Sequence, residues 1–243
     1  NRTYRSPHPC GEDDILQRYL PLGCTKFNNG DRTLLGAEQH NWLVEGLTGS
    51  RATWKPMGNH TFLGRLAVTL AGQQLSPINV DAWDGFVAER RALTGALREA
   101  KVRNFLVATG DLHAHMASNI KHDWGNLNPL DTSNFVGAEF MTPSVTSSTL
   151  AESVAAGADE ATRILLGRAL AAPTVRLNNP HIQFFDSSRQ GYSTLELTDN
   201  HAEWVSYVVD KNVNDPAAAR KCIARQRKYM SLPWLVAQST AGY

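Results

Sequence analysis

The sequence predicts an α/β fold in which parallel strands end in polar residues. Residues 104–109 form an apolar run with the length and composition of a strand buried on both faces. An amphipathic helical pattern over residues 86–100 leads into that run, and a shorter strand pattern at residues 52–57 precedes the helix. This order of strand, helix and strand predicts parallel neighbours joined by a right-handed crossover.

The composition limits the classes of function. The chain has 243 residues, of which 42% are hydrophobic and 19% charged, which is enough to bury a sizeable core. A formal net charge of +1 argues against nucleic acid or an anionic membrane as the main partner. Apolar runs stay well short of the roughly 20 residues that a membrane span needs. We therefore expect neither a transmembrane segment nor specific nucleic-acid binding.

The three cysteines leave the redox compartment open. Cys10 and Cys24 could close a loop and leave Cys222 free, but three reduced thiols fit the sequence equally well. The chain starts at Asn1 without a Met or a signal peptide, so we expect a processed or truncated product.

The first elements follow from turn signals and periodicity. Residues 1–33 are rich in Pro and Gly and predict an irregular surface segment, with room for a short helix only at residues 13–20. Apolar residues at roughly helical spacing predict a helix over residues 35–47. Gln, Gly, Ser and Pro mark residues 64–80 as a loop, and Asp84 is a plausible N-cap for the helix that follows it.

The second half is less regular. The polar stretch after His115 predicts a long loop. Residues 135–142 predict a buried strand in which Glu139 needs a partner, either an Arg or a metal-bound His, unless it faces solvent. Residues 150–172 predict one or two helices with a break at Gly157, and residues 182–197 predict a hairpin. Residues 204–209 predict a further strand, and residues 217–230 predict a basic surface helix.

Candidate functional residues follow the predicted strands. Asp111, His113 and His115 come just after residues 104–109, where open α/β sheets place their ligands. Carboxylate and imidazole together suit a first-row metal or zinc ion, although Asp111 could equally cap a turn beside two surface histidines. Asn59 follows the strand at residues 52–57 and could contact metal or phosphate, or form an Asx-turn.

An ordered series of motifs resembles the PhoD-like alkaline phosphatase and phosphodiesterase family. It includes Gly-Asn at residues 58–59, Gly-Asp-Leu-His at 110–113 and Asn-Pro-His at 179–181. Further matches lie at residues 34–39, 42–43, 54–55, 81–86, 89–90, 137–144 and 191–192. The resemblance covers roughly residues 31–209.

The resemblance implies a metallophosphatase-like sandwich of two sheets flanked by helices, and hydrolysis of phosphate monoesters or diesters in an exported protein, secreted, periplasmic or at the cell surface. It also implies iron and calcium, with other divalent metals as alternatives, and a water activated by the metals. Asp111 and His113 match the family's metal ligands. Asn59 matches the Asn of the family's Gly-Asn motif, which implies contact with substrate or support of the metal ligands, and His115 and His181 are weaker candidates for phosphate contact or proton transfer.

The resemblance also implies an incomplete domain. Family members carry further metal ligands upstream, none of which occurs before residue 31, so the amino-terminal half is expected to be missing. The expected organisation is an irregular segment (1–33), the carboxyl-terminal half of the sandwich (34–210), and a helix and tail (211–243). Two rival functions stay open: a catalytically incomplete fragment that binds or supports a partner, and an unrelated metal-dependent hydrolase.

Overall fold

The computed structural model describes residues 2–10, 19, 21, 23–70, 73–126, 128, 131–215 and 217–242. The short helix expected at residues 13–20 lies outside the described residues, except for Tyr19. The strands are β1 (Lys55–Gly58), β2 (Ala67–Leu70), β3 (Gln73–Pro77), β4 (Phe105–Thr109), β5 (His115–Lys121), β6 (Phe135–Met141), β7 (Ile182–Asp186), β8 (Gly191–Leu197), β9 (His201–Val208), β10 (Lys221–Tyr229) and β11 (Leu235–Ala237). The helices are α1 (Ala37–Gly49), α2 (Val87–Glu99), α3 (Leu150–Val154), α4 (Glu160–Leu165) and α5 (Ala172–Asn178), with a π-helical turn over Leu166–Ala171.

The main sheet has five strands in the order β1-β4-β6-β5-β7. β1, β4 and β6 are parallel, whereas β5 runs antiparallel to both β6 and β7. The carboxyl ends of β1, β4, β6 and β7 therefore meet the start of β5 at one side of the sheet. We call this side the carboxyl edge.

A second, antiparallel sheet in the order β11-β10-β9-β8 packs on one face of the main sheet. Trp204 on β9 stacks on Phe140 of β6 with ring centroids 5.8 Å apart, and it also meets Phe184 of β7. The apolar layer between the sheets further includes Leu106, Ala138, Ala224 and Leu235. The architecture is the expected sandwich of two sheets with flanking helices.

Helices cover the other face and one edge of the main sheet. α1 and α2 bury Leu47, Leu93 and Leu97 against Phe105 and Val107 of β4. α3 and α5 pack beside β7. Gly157 lies between α3 and α4 with a φ of 87°, so the expected break at this glycine is confirmed. Among the described helices none is long and apolar enough to cross a membrane.

The loop predicted after His115 starts only after Lys121: the described residues between 122 and 131 are irregular as expected, but β5 occupies residues 115–121. Its polar residues are buried rather than solvated, and they bond to the second sheet. Asn119 accepts a hydrogen bond from the Leu235 amide at 2.8 Å, and His115 bonds the Ser206 hydroxyl. Polarity at these positions serves contact between the sheets.

The prediction of a basic surface helix at residues 217–230 is wrong. The segment forms β10, in which inward and outward residues alternate with a period of two. Arg225 and Arg227 both pair with Glu203 on β9, at 3.0 and 2.5 Å. Because β9 and β10 pair across residue 210, the region after it is an integral part of the second sheet.

Two further predictions need correction. β7 and β8 form no hairpin with each other, since β7 joins the main sheet and β8 the second sheet. Residues 64–80, expected to be a loop, contain the hairpin of β2 and β3. Of the two alternatives that the sequence left open for the cysteines, the structure has the disulfide between Cys10 and Cys24, with Cys222 as a buried free thiol.

Candidate active site

The carboxyl edge brings together the residues that follow β1 and β4. Asn59 comes directly after β1, and its backbone amide donates to the Ala108 carbonyl of β4 at 2.9 Å. Asp111 and His113 lie in the short connection between β4 and β5, and His115 starts β5. We call residues 110–114 the edge loop.

The edge loop has an unusual backbone. Asp111 and His113 both adopt left-handed conformations, with φ values of 77° and 55°. Such conformations cost about 1–3 kcal/mol each for non-glycine residues and cluster at functional sites. The alternating residues Leu112 and Ala114 are buried in the core, which anchors the loop and turns Asp111 and His113 away from the core. Packing therefore maintains a strained loop that presents a carboxylate and an imidazole.

The ring of His113 is fixed by the backbone. Its Nδ1 lies 2.5 Å from the carbonyl oxygen of Ser148. Because a carbonyl oxygen can only accept, Nδ1 carries a proton, and the neutral tautomer compatible with this bond has its lone pair on Nε2. A bond from one ring nitrogen to a backbone carbonyl is typical of histidines that bind metals through the other ring nitrogen.

Asp111 and Asn59 are linked through Thr61. The Thr61 hydroxyl donates to Oδ2 of Asp111 at 3.1 Å, and the Asn59 amide Nδ2 donates to the Thr61 carbonyl at 2.6 Å. Thr61 is fully buried, whereas Asp111 is exposed. The three residues thus form one hydrogen-bonded chain that orients the carboxylate.

His115 lies beneath the edge loop and has no exposed surface. Its Nδ1 is 2.5 Å from the Ser206 hydroxyl of β9, and burial is the main cause that lowers its pKa to about 4. Its partner in register on β7 is Asp186, which pairs with Arg189 at 2.6 Å. Its burial and its bond to Ser206 favour a role in supporting the loop, and the predicted contact with phosphate stays a prediction.

His181 does not join the other predicted residues. It precedes β7, at the end of the sheet opposite the carboxyl edge. Its Nε2–H donates to the Arg65 carbonyl at 2.8 Å, its ring meets Trp124, and burial lowers its pKa to about 3. A role in phosphate contact stays a prediction that this placement does not support.

His181 belongs instead to a group of buried polar side chains that hold the backbone of residues 63–67. Glu139 accepts from the amides of Leu63 and Gly64 at 2.6 and 2.9 Å, so the expected Arg or metal-bound His is not its partner. Burial raises the pKa of Glu139 to about 7. We call Asp84, Arg90, Glu139, Asn179 and His181 the inner polar network.

Asp84 belongs to this network and does not cap α2. Its Oδ2 accepts from the Leu66 amide at 2.7 Å, and its Oδ1 pairs with Arg90 at 2.6 Å. Burial raises the pKa of this carboxyl, against the opposing effect of Arg90. Asn179 bonds both the N–H and the C=O of Ala67 at 3.0 Å.

Sequence reasoning missed Thr61 and Ser148. Thr61 directly follows the Gly-Asn-His sequence that contains Asn59, so its proximity to the site had a local signal. Ser148 acts through its backbone carbonyl, which any residue carries. Its sequence context, a hydroxyl-rich run, indicates only a solvated loop.

The donor chemistry of Asp111 and His113 fits part of a metal's ligand set. Across the described ranges, however, no group of three or more His, Cys, Asp or Glu side chains could hold a metal ion. The edge loop therefore supplies two donors and needs further ligands to complete a site.

Comparisons with known proteins agree on one family. A family model described as PhoD-like phosphatase matches residues 1–206. Alkaline phosphatase D of Bacillus subtilis (strain 168) is 33% identical over 193 residues, which are 79% of this chain and 29% of that protein. A solved structure described as "Structure of PhoD" matches with a TM-score of 0.68 at 26% identity, over 88% of this chain and 37% of that one. The chain thus spans about a third of the length of these relatives.

Proposed function

The chain belongs to the PhoD-like phosphatase family, and on this premise we propose that its carboxyl edge is one part of the active site of a metal-dependent phosphoesterase. The reaction is hydrolysis of phosphate monoesters or diesters, with iron and calcium as the metals. The observation that carries the proposal is the edge loop, where a strained backbone presents Asp111 beside a His113 whose Nδ1 is already bound.

Each residue has a separate task in this proposal. Asp111 and His113 would hold a metal with the carboxylate and Nε2, and the metal would supply Lewis-acid activation of water and of the phosphoryl group. Thr61 and Asn59 orient the Asp111 carboxylate through their hydrogen bonds. His115 positions the edge loop from below through Ser206.

We infer that the protein is secreted, periplasmic or exposed at the cell surface. The Cys10–Cys24 disulfide supports this location, since disulfides persist in oxidising compartments. The substrate is expected to be a small phosphate ester.

The test combines elemental analysis with an assay of bis-p-nitrophenyl phosphate hydrolysis, on the same preparation with added iron and calcium. We expect bound metal and turnover, both reduced at least about 100-fold in Asp111→Ala and in His113→Ala, since even outer-shell changes cost up to about that factor. Asp199→Ala, an exposed carboxylate between β8 and β9, is the matched control and should behave as wild type.

One alternative function has a specific observation in its favour. Among the described residues no group of three or more His, Cys, Asp or Glu side chains could hold a metal ion, which fits a catalytically incomplete chain that acts as a binding or structural part. A wild-type chain without metal and without turnover would refute the main proposal for this chain and support the alternative.

A further inference from the structure

A polar cavity opens away from the carboxyl edge. It has a volume of about 820 Å³ and lies beside α2, near the end of β5 and next to Cys24 of the disulfide. Its walls include Arg65, Arg91, His122 and Trp124, and they include none of the candidate active-site residues. Its chemistry is therefore separate from the proposed hydrolysis.

Arg65 is the exceptional residue of this cavity. Its side chain projects from the backbone that the inner polar network holds, and the residue is only 6% exposed. Within the part of the chain that the structure describes, its guanidinium has no hydrogen-bond or ion-pair partner, and its Nε is fully buried. An arginine keeps its positive charge, so a largely buried side chain whose Nε has no acceptor is stabilised when an anion binds it.

The neighbouring charged groups do not provide an acceptor for Arg65. Arg90 already donates to Asp84 and to the Gly64 carbonyl, and Asp84 also accepts from the Leu66 amide. Asp123 is exposed, and it accepts from the amide of Gly125. Burial lowers the pKa of Arg65 even though Asp84 and Asp123 oppose that effect.

The rest of the cavity favours an anion with more than one charge. Arg91 adds a second guanidinium from the exposed side of α2. Nδ1 of His122 contacts the Thr94 hydroxyl at 3.1 Å, which holds the ring at the cavity wall. Trp124 lies over Arg90 at 5.7 Å and closes one side. Two guanidinium forks match the paired oxygens of a phosphate group better than a single carboxylate.

We propose that this cavity is a binding site for a phosphate-type oxyanion, with Arg65 as its buried donor and Arg91 as its outer donor. Arg65 donates from the floor of the cavity and Arg91 from its rim. The site binds its ligand without metal, which distinguishes it from the carboxyl edge.

The test is isothermal titration calorimetry of the full chain with inorganic phosphate in the presence of EDTA. We expect binding to wild type, weakened at least about tenfold in Arg65→Met, because the variant loses charge-assisted hydrogen bonds. Two control variants should bind phosphate as wild type does. They are Asp111→Ala, at the carboxyl edge, and Arg51→Met, at an exposed arginine outside the cavity. Acetate should bind more weakly than phosphate because it carries one charge.

Thermal unfolding gives an independent readout. If Arg65 lacks a partner in the free protein, Arg65→Met raises the unfolding temperature without ligand and abolishes the increase that phosphate produces in wild type. Should Arg65→Met fail to fold, Arg65→Lys and Arg91→Gln decide the question, and both should weaken phosphate binding.

Three results would overturn the proposal. They are absence of phosphate binding to wild type, unchanged binding in the Arg65 and Arg91 variants, and loss of binding in Asp111→Ala. The last would place the phosphate at the carboxyl edge. Because EDTA is present throughout, a failure of the proposed hydrolysis leaves this test unaffected.

Discussion

The carboxyl edge and the inner polar network both place charged side chains around the main sheet, but they differ in how far those side chains are buried. In the network, Glu139 and Asp84 are fully buried and accept backbone amides. At the edge, Asp111 is exposed and His113 half-buried, on a strained backbone. The network stabilises a buried irregular segment, whereas the edge presents a carboxylate and an imidazole towards solvent.

The difference also shows where perturbed pKa values lie. Strong shifts fall on the buried groups Glu139 and His181 and on the buried His115 beneath the edge loop, and all three groups lie outside the loop itself. Such shifts often mark active sites, but buried structural groups produce them as well. The candidate site is therefore chosen on the backbone conformation of the edge loop and the bound Nδ1 of His113, and not on pKa.

The largest expected effect is loss of the buried ion pair. Arg90→Met leaves Asp84 without its cation and should lower the free energy of unfolding by about 3–5 kcal/mol. Arg91→Met, at the exposed neighbour on α2, should change it by less than about 0.5 kcal/mol. Urea denaturation at pH 8 measures both. A loss below about 1 kcal/mol for Arg90→Met would show that the Asp84–Arg90 pair does not have the structural role assigned to the network.

The next effect is a pH dependence with a defined sign. His181 has a folded pKa of about 3, below its unfolded value near 6.5, so between these values only the unfolded state binds the proton. Stability is therefore lost as pH falls from 6.5 towards 3, by about 1.4 kcal/mol per pH unit from this residue. His181→Gln should remove this contribution, so that the free energy of unfolding of the variant falls less steeply with falling pH, by that amount per unit. Urea denaturation between pH 6.5 and 4 measures the difference.

Glu139 provides the matched opposite case. Its folded pKa of about 7 exceeds the usual value of 4.5, so the folded state binds the proton between these values. Stability from this residue grows as pH falls from 7 to 4.5, and Glu139→Gln should make the acid-side loss steeper. If both variants changed the slope in the same direction, the assignment of these two groups would be wrong.

The elements predicted correctly are those with strong local patterns. The apolar runs of β4 and β6 and the amphipathic helices α1 and α2 fix their own conformation and burial, so their prediction needed no knowledge of distant partners. By contrast, β5 and β10 look polar, because their polar residues bond other strands that the local sequence does not reveal: Asn119 of β5 bonds the second sheet, and Arg225 of β10 pairs with Glu203 of β9. Tertiary contacts decided these two strands.

The candidate site was predictable only in part. Gly-Asp-Leu-His after an apolar run placed Asp111 and His113 at a strand end, and the structure has them there. The left-handed backbone of both residues and the Ser148 carbonyl on His113 have no sequence signal, since they arise from packing of the edge loop. His181 shares the motif series yet lies elsewhere, because its Asn-Pro-His motif serves residues 63–67.

The smallest expected effect concerns the link between Thr61 and Asp111. Thr61→Val keeps the side-chain shape but removes the hydroxyl that donates to Oδ2 of Asp111. If the edge binds metal, outer-shell loss should weaken Fe²⁺ or Ca²⁺ binding about tenfold, or about 1.4 kcal/mol. Thr94→Val is a matched control, because that buried hydroxyl bonds the Arg90 carbonyl of its own helix. Equal metal affinity of the two variants would show that Thr61 does not orient the carboxylate, and the edge would then resemble the inner polar network in having only a structural role.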